Sequence, residues 1–199
     1  MKRLTAFVLV MALLAASTAA LAEAFTPITV EGEDHDAYLN NLDTCIESIN
    51  DLELDTGETF SFNETVGERS EARGYQTAPN GRGVEVVGGG VAQVATTIYL
   101  AVKQMDDMEV TEKTTYGSDF CENYVAREQD ALMTDYRQAA DFCFVNRGAN
   151  VIITLWRDEN NVYCKLSQLP TENNETDSEE EVGTDDSEAL IEEDATQGE

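Results

Sequence analysis

Three consecutive glycines, Gly88-Gly89-Gly90, run directly into a helical pattern over residues 91–105, and this junction constrains everything around it. Glycine lets backbone approach closely, and a helix that starts there presents free amide groups. Val91, Val94, Ala95, Ile98, Val102 and Met105 recur at the spacing of one apolar helix face, while Gln93, Thr96, Thr97 and Gln104 fall on the other side. Amides and hydroxyls in that position suit hydrogen bonding to a peptide or a sugar lodged against Gly88, Gly89 and Gly90. Upstream, Phe60-Ser61-Phe62-Asn63 predicts a strand over 59–63, followed by a polar loop over 64–74 that carries Arg69 and Arg73. Tyr75 follows it. Pro79-Asn80-Gly81-Arg82-Gly83 is a dense turn signal, with a short strand expected over 84–87.

These stretches share an order and spacing with a known family. Phe60-Ser61-Phe62-Asn63-Glu64-Thr65-Val66-Gly67, then Arg73-Gly74-Tyr75, then Gly88-Gly89-Gly90-Val91-Ala92-Gln93-Val94-Ala95-Thr96-Thr97-Ile98-Tyr99 resemble the VanW-like family. Its signature reads FSFN-x-x-VG, a downstream GY, and GGG-[IV]-CQVSST-[LI]-Y. The likeness covers roughly residues 35–157. It continues weakly in Tyr124-Val125, Asp130-Ala131, Asp141-Phe142-Cys143-Phe144 and Asn146, without the intervening histidine and proline of the family. The main departure is at the family's cysteine, which is Ala92 here; its two serines are Ala95 and Thr96. A thiol two residues into a helix would be favoured as thiolate. Ala92 has no nucleophilic atom, so that chemistry is absent at this position. The family is named for a protein encoded with vancomycin-resistance genes, which implies a peptidoglycan peptide or glycan as ligand.

The start of the chain predicts export. Lys2-Arg3 is followed by an apolar run over 4–14 and the small-x-small sequence Ala20-Leu21-Ala22. A signal peptide of residues 1–22 is expected, with a cut after Ala24 as the alternative. The run is too short for a good membrane anchor. In an oxidising compartment the four cysteines, Cys45, Cys121, Cys143 and Cys164, are expected to form two disulfides, in any of three pairings. None of their spacings resembles a zinc site, and no metal or other cofactor is expected.

Charge narrows the partners. The chain carries 40 acidic and 12 basic residues, a net charge of −28. Over 23–170 the balance is still 27 acidic to 10 basic, about −17. Nucleic acid is excluded, and anionic wall polymers would be repelled. Polyvalent cations, basic peptides and neutral glycans remain compatible. After Pro170, Thr, Asn, Ser, Gly and acids dominate, so 171–199 is expected to be a disordered acidic tail.

The remaining chain predicts an α+β domain over 35–170, preceded by an extended lead-in over 23–34. Asp34 is placed as the cap of a helix over 35–50, with Leu39, Leu42, Cys45, Ile46 and Ile49 on its apolar stripe. Strands are expected over 108–115, 130–136, 140–145, 151–156 and 162–166, the last three a meander across the turns 146–150 and 158–161. Trp156, beside Leu155 on a strand, is assigned to the core. An N-terminal helix and a central helix would thus pack on a mainly antiparallel sheet.

For function, Ser61, Asn63, Arg69, Arg73, Tyr75, Gly88, Gly89, Gly90, Gln93, Thr96 and Thr97 form the expected ligand site. No catalytic residue is assigned. A hydroxyl nucleophile at Ser61, Thr96 or Thr97 would need a base, and the one histidine, His35, lies at the N-terminal edge among Glu31, Glu33, Asp34 and Asp36. A carboxylate base would come from Asp130, Asp141 or Glu64. The leading expectation is a secreted, non-catalytic module that binds a wall component. A thiol-independent peptidoglycan-modifying enzyme and a structural module that binds another exported protein are the alternatives.

Overall fold

A computed structural model describes residues 20–132 and 140–170. The expected leader up to residue 19, the acidic tail over 171–199 and most of the strand expected over 130–136 lie outside these residues; Asp130, Ala131 and Leu132 are not in a strand.

The lead-in contains an edge strand, β1 (Ala20–Pro27), which spans the expected cut sites. A 3-10 turn, Gly32–Asp34, then enters helix α1 (His35–Ile49). Asp34 stands at its start without a side-chain capping bond, so the expected cap is not made. The buried stripe of α1 is Tyr38, Asn41, Leu42, Cys45, Ile46 and Ile49. It includes a polar residue, Asn41, that apolar spacing does not pick out.

After α1 come the short strands β2 (Leu52–Leu54) and β3 (Thr59–Ser61). The strand expected over 59–63 stops at Ser61 because Ser61 caps a helix, α2 (Phe62–Val66), accepting from the Glu64 amide at 3.1 Å. Asn63 therefore lies in a helix. The 3-10 turn Glu71–Arg73 leads to the hairpin β4 (Thr77–Pro79) and β5 (Glu85–Val87), with Pro79-Asn80-Gly81-Arg82-Gly83 at its turn.

The central helix, α3 (Val91–Val102), ends three residues before the expected 105. Ten of its twelve residues are buried, on every side. Such a helix is a core element rather than an amphipathic surface one. It packs against β1, against α1 and against the last strand of the described residues.

The second half supplies β6 (Met108–Glu112), β7 (Cys143–Asn146), β8 (Val151–Arg157) and β9 (Asn161–Gln168). The last three follow one another as the C-terminal meander, but two sheets share them. One antiparallel sheet has the order β1-β9-β8-β2 and the other β3-β7-β6. α3 lies against β1 and β9 of the first sheet. The fold is α+β.

Candidate functional site

The glycine triplet serves the chain's own packing. A Cβ at Gly89 would overlap the Ala78 carbonyl, and Gly90 holds φ +104 with the Tyr38 ring against it. The amides of Val91 and Gln93 donate back to the Gly88 and Gly90 carbonyls, at 3.4 and 2.8 Å. Asn41 locks this loop from α1. Its Nδ2 donates to the carbonyls of Gln76 and Gly89, both at 2.8 Å, and its Oδ1 accepts from the Gln76 amide at 2.7 Å.

The polar side of α3, expected to face a ligand, faces the protein interior. Gln93, Thr96 and Thr97 are 0–1% exposed. Gln93 Oε1 accepts from Tyr38 Oη at 2.8 Å, and its Nε2 donates to the Pro27 carbonyl at 2.8 Å and Thr26 Oγ1 at 3.1 Å. Thr97 Oγ1 meets Thr26 Oγ1 at 2.7 Å. Thr96 Oγ1 donates to the Ala92 carbonyl and accepts from the Ala131 amide. Helical spacing separates polar from apolar faces but does not say that a polar face is solvated. Here β1 covers Gln93 and Thr97 with matching polar groups, and the Ala131 amide meets Thr96.

Ser61 and Asn63 gather around Asp141, at the entry to β7, and Arg69 joins them through Asn63. The carboxylate accepts from Ser61 Oγ at 2.6 Å, from the Asn63 amide at 2.9 Å and from the Phe142 amide at 2.7 Å. Asn63 donates to the Ala140 carbonyl and accepts from Arg69. Arg73 donates to the carbonyls of Val66 and Glu68, closing the loop after α2. Tyr75 is buried, its hydroxyl without a hydrogen-bond partner among the described residues. Farther on, Asn146 donates to the carbonyls of Leu54 and Ala149. Thus the FSFN and D-x-x-F-x-N elements are the two halves of one hydrogen-bonded junction. The sequence marks Asp141 as a weak family position and a candidate base, not as the partner of Ser61 and Asn63, and it gives no place to Thr26, Tyr38 or Asn41.

All four cysteines are free thiols, correcting the expectation of two disulfides. They lie on separate elements: Cys45 on α1, Cys121 in a 3-10 turn, Cys143 on β7 and Cys164 on β9. Cys121 Sγ approaches the Gly81 carbonyl and accepts from Tyr124 Oη, each at 3.2 Å. Burial pushes Cys45 up to about 12. Burial, and then the charge of Asp141, push Cys143 up to about 12. Burial also raises Cys121 and Cys164. These groups are protonated thiols at neutral pH, the reverse of an activated nucleophile. His35 lies near Asp36, Nδ1 to Oδ1 3.5 Å, at the start of α1.

A protein-family model described as VanW like protein matches residues 38–167. The chain belongs to the VanW-like family. Among curated proteins it is similar to the uncharacterized protein YoaR of Bacillus subtilis (strain 168), 27% identical over 158 residues. That match takes in 72% of this chain and 50% of YoaR, so the chain spans about half of the relative's length. No solved structure matches it. The VanW-like signature of this chain is thereby assigned physical work: its glycines, hydroxyls and amides join α1, α3, β1 and β7.

One surface lies outside that network. β1, β9 and β8 place Phe25, Tyr163 and Trp156 in direct register on the side of the sheet away from α3. Phe25 is 60% and Trp156 37% exposed, whereas neighbouring Leu155 is 2% exposed. The assignment of Trp156 to the core is therefore corrected. Leu155 takes the inward position and Trp156 the outward one.

Proposed function

We propose that this chain is an exported, non-catalytic member of the VanW-like family that holds a cell-wall component without transforming it. The observation that carries the reading is the burial of the signature. Ala92 has no nucleophilic atom, and Gln93, Thr96 and Thr97 direct their polar groups to the chain itself. The four thiols are poor substitutes for the missing one, because each is held above its ordinary value of 9.0. Export is supported by the basic, apolar and small-x-small sequence over 1–22. The wall as target follows from the family resemblance, and the negative charge directs the choice toward its uncharged or basic parts.

Co-sedimentation of the whole chain with purified peptidoglycan at physiological salt tests this, with chromatography of muropeptides from the same tubes. Saturable pelleting with an unchanged muropeptide profile is expected. A changed profile would identify a thiol-independent enzyme. Failure of the folded chain to pellet would overturn the wall reading and favour an exported protein as partner.

A further inference from the structure

We infer that the outer face of the β1-β9-β8 sheet is a binding site for a neutral glycan strand, with Phe25, Tyr163 and Trp156 as its contact residues. The inference rests on the wall-binding reading and names its site and ligand class. The three rings form one row across three strands. Trp156 and Tyr163 are stacked, with centroids 5.1 Å apart and planes within 6°, and Phe25 stands 6.0 Å from Tyr163. Exposed Phe25 and Trp156 on either side of half-buried Tyr163 in one register row are not required by packing, because the core of this sheet lies on its other face.

The row is held in place. Tyr163 Oη donates to Asp158 Oδ2 at 2.9 Å and accepts from Asn161 Nδ2 at 3.1 Å. Asp158 is itself fixed by the amides of Asn160 and Asn161, at 2.7 and 2.8 Å. A ring fixed before binding loses little freedom on contact. The rim is polar: Asp158 and Asn161 lie at the hairpin turn, and Glu23, Lys165 and Thr154 form the next register row. A sugar offers this combination its two complements, an apolar C–H face for the rings and hydroxyls for the rim.

Size and charge select among occupants. One aromatic side chain presents about 150–250 Å² when fully exposed, so this partly exposed row offers a few hundred Å² at most. A stable protein complex uses about 800 Å² on each partner. A second copy would also bring the same negative charge to the face. A nucleic acid or anionic polymer meets that repulsion too.

Trp156 is the chain's one tryptophan, so its emission reports on this face alone. The whole chain is titrated with chitohexaose, a neutral N-acetylglucosamine oligomer, beside a Phe25→Ala variant that keeps the reporter. A saturable emission change is expected, with affinity weakened about fivefold to tenfold by Phe25→Ala. Absence of a change from a chain that still pellets with peptidoglycan would overturn the aromatic site and leave the wall reading standing. Chitohexaose binding without pelleting would support the aromatic site and overturn the wall reading. An emission change that follows protein concentration instead of sugar, and is lost in Phe25→Ala, would assign the face to a second copy and overturn the glycan site.

Discussion

Asn41 shows how a single side chain decides whether the glycine loop can exist. It satisfies the Gln76 amide and the Gly89 carbonyl at the point where α1, β4 and the start of α3 meet. Asn41→Ala strands the buried Gly89 carbonyl and the partly buried Gln76 amide, at roughly 1–3 kcal/mol each. We expect a loss of about 3 kcal/mol, lowering the thermal midpoint by roughly 6–12 °C. A loss below about 1 kcal/mol would mean that the two groups find other partners. The sequence marks Asn41 only as a polar residue between Tyr38 and Leu42 on an otherwise apolar stripe. Its role is illegible there because its partners lie 35 and 48 residues away. Ser61 and Asn63 were legible as a motif for the same chain, but not as ligands of Asp141, about 80 residues downstream.

Among elements, the two long helices were readable because apolar spacing over many residues is a strong signal. α1 and α3 both begin where expected, and each ends earlier, α1 at Ile49 and α3 at Val102. The strand over 59–63 was cut short by a local competitor, the Ser61 cap, whose Ser61-x-x-Glu64 spacing is itself a helix-start signal. Three-residue strands such as β2 and β4 are too short for any period to register. The meander strands were found, but alternation could not choose which face is buried. For Leu155 and Trp156 the choice follows from α1, which packs on the inner side of β8 and which a single strand does not contain. The burial of the polar side of α3 is illegible for the same reason. β1 covers Gln93 and Thr97, and the segment at Ala131 covers Thr96.

At the scale of the whole molecule, buried thiols and phenols set the response to alkali. Burial raises Cys45, Cys164, Tyr38 and Tyr124, and it raises Tyr116 to about 12. Above about pH 9 the unfolded chain releases these protons before the folded one does, so the folded state binds more protons and stability falls as pH rises. Lys113, lowered by burial, acts in the opposite direction but is a single group. We expect a thermal midpoint that is level between about pH 7 and 8 and drops steadily above about pH 9. A midpoint that holds to about pH 11 would contradict the protonated core described here. On the function proposed above, the VanW-like signature builds the fold and contact with the wall lies on the sheet's outer face. The most direct test measures melting and peptidoglycan pelleting together for Gln93→Ala and Trp156→Ala. Gln93→Ala is expected to lower the midpoint and keep the affinity of the folded fraction, whereas Trp156→Ala keeps the midpoint and weakens pelleting. Loss of pelleting in Gln93→Ala with unchanged melting would contradict the account.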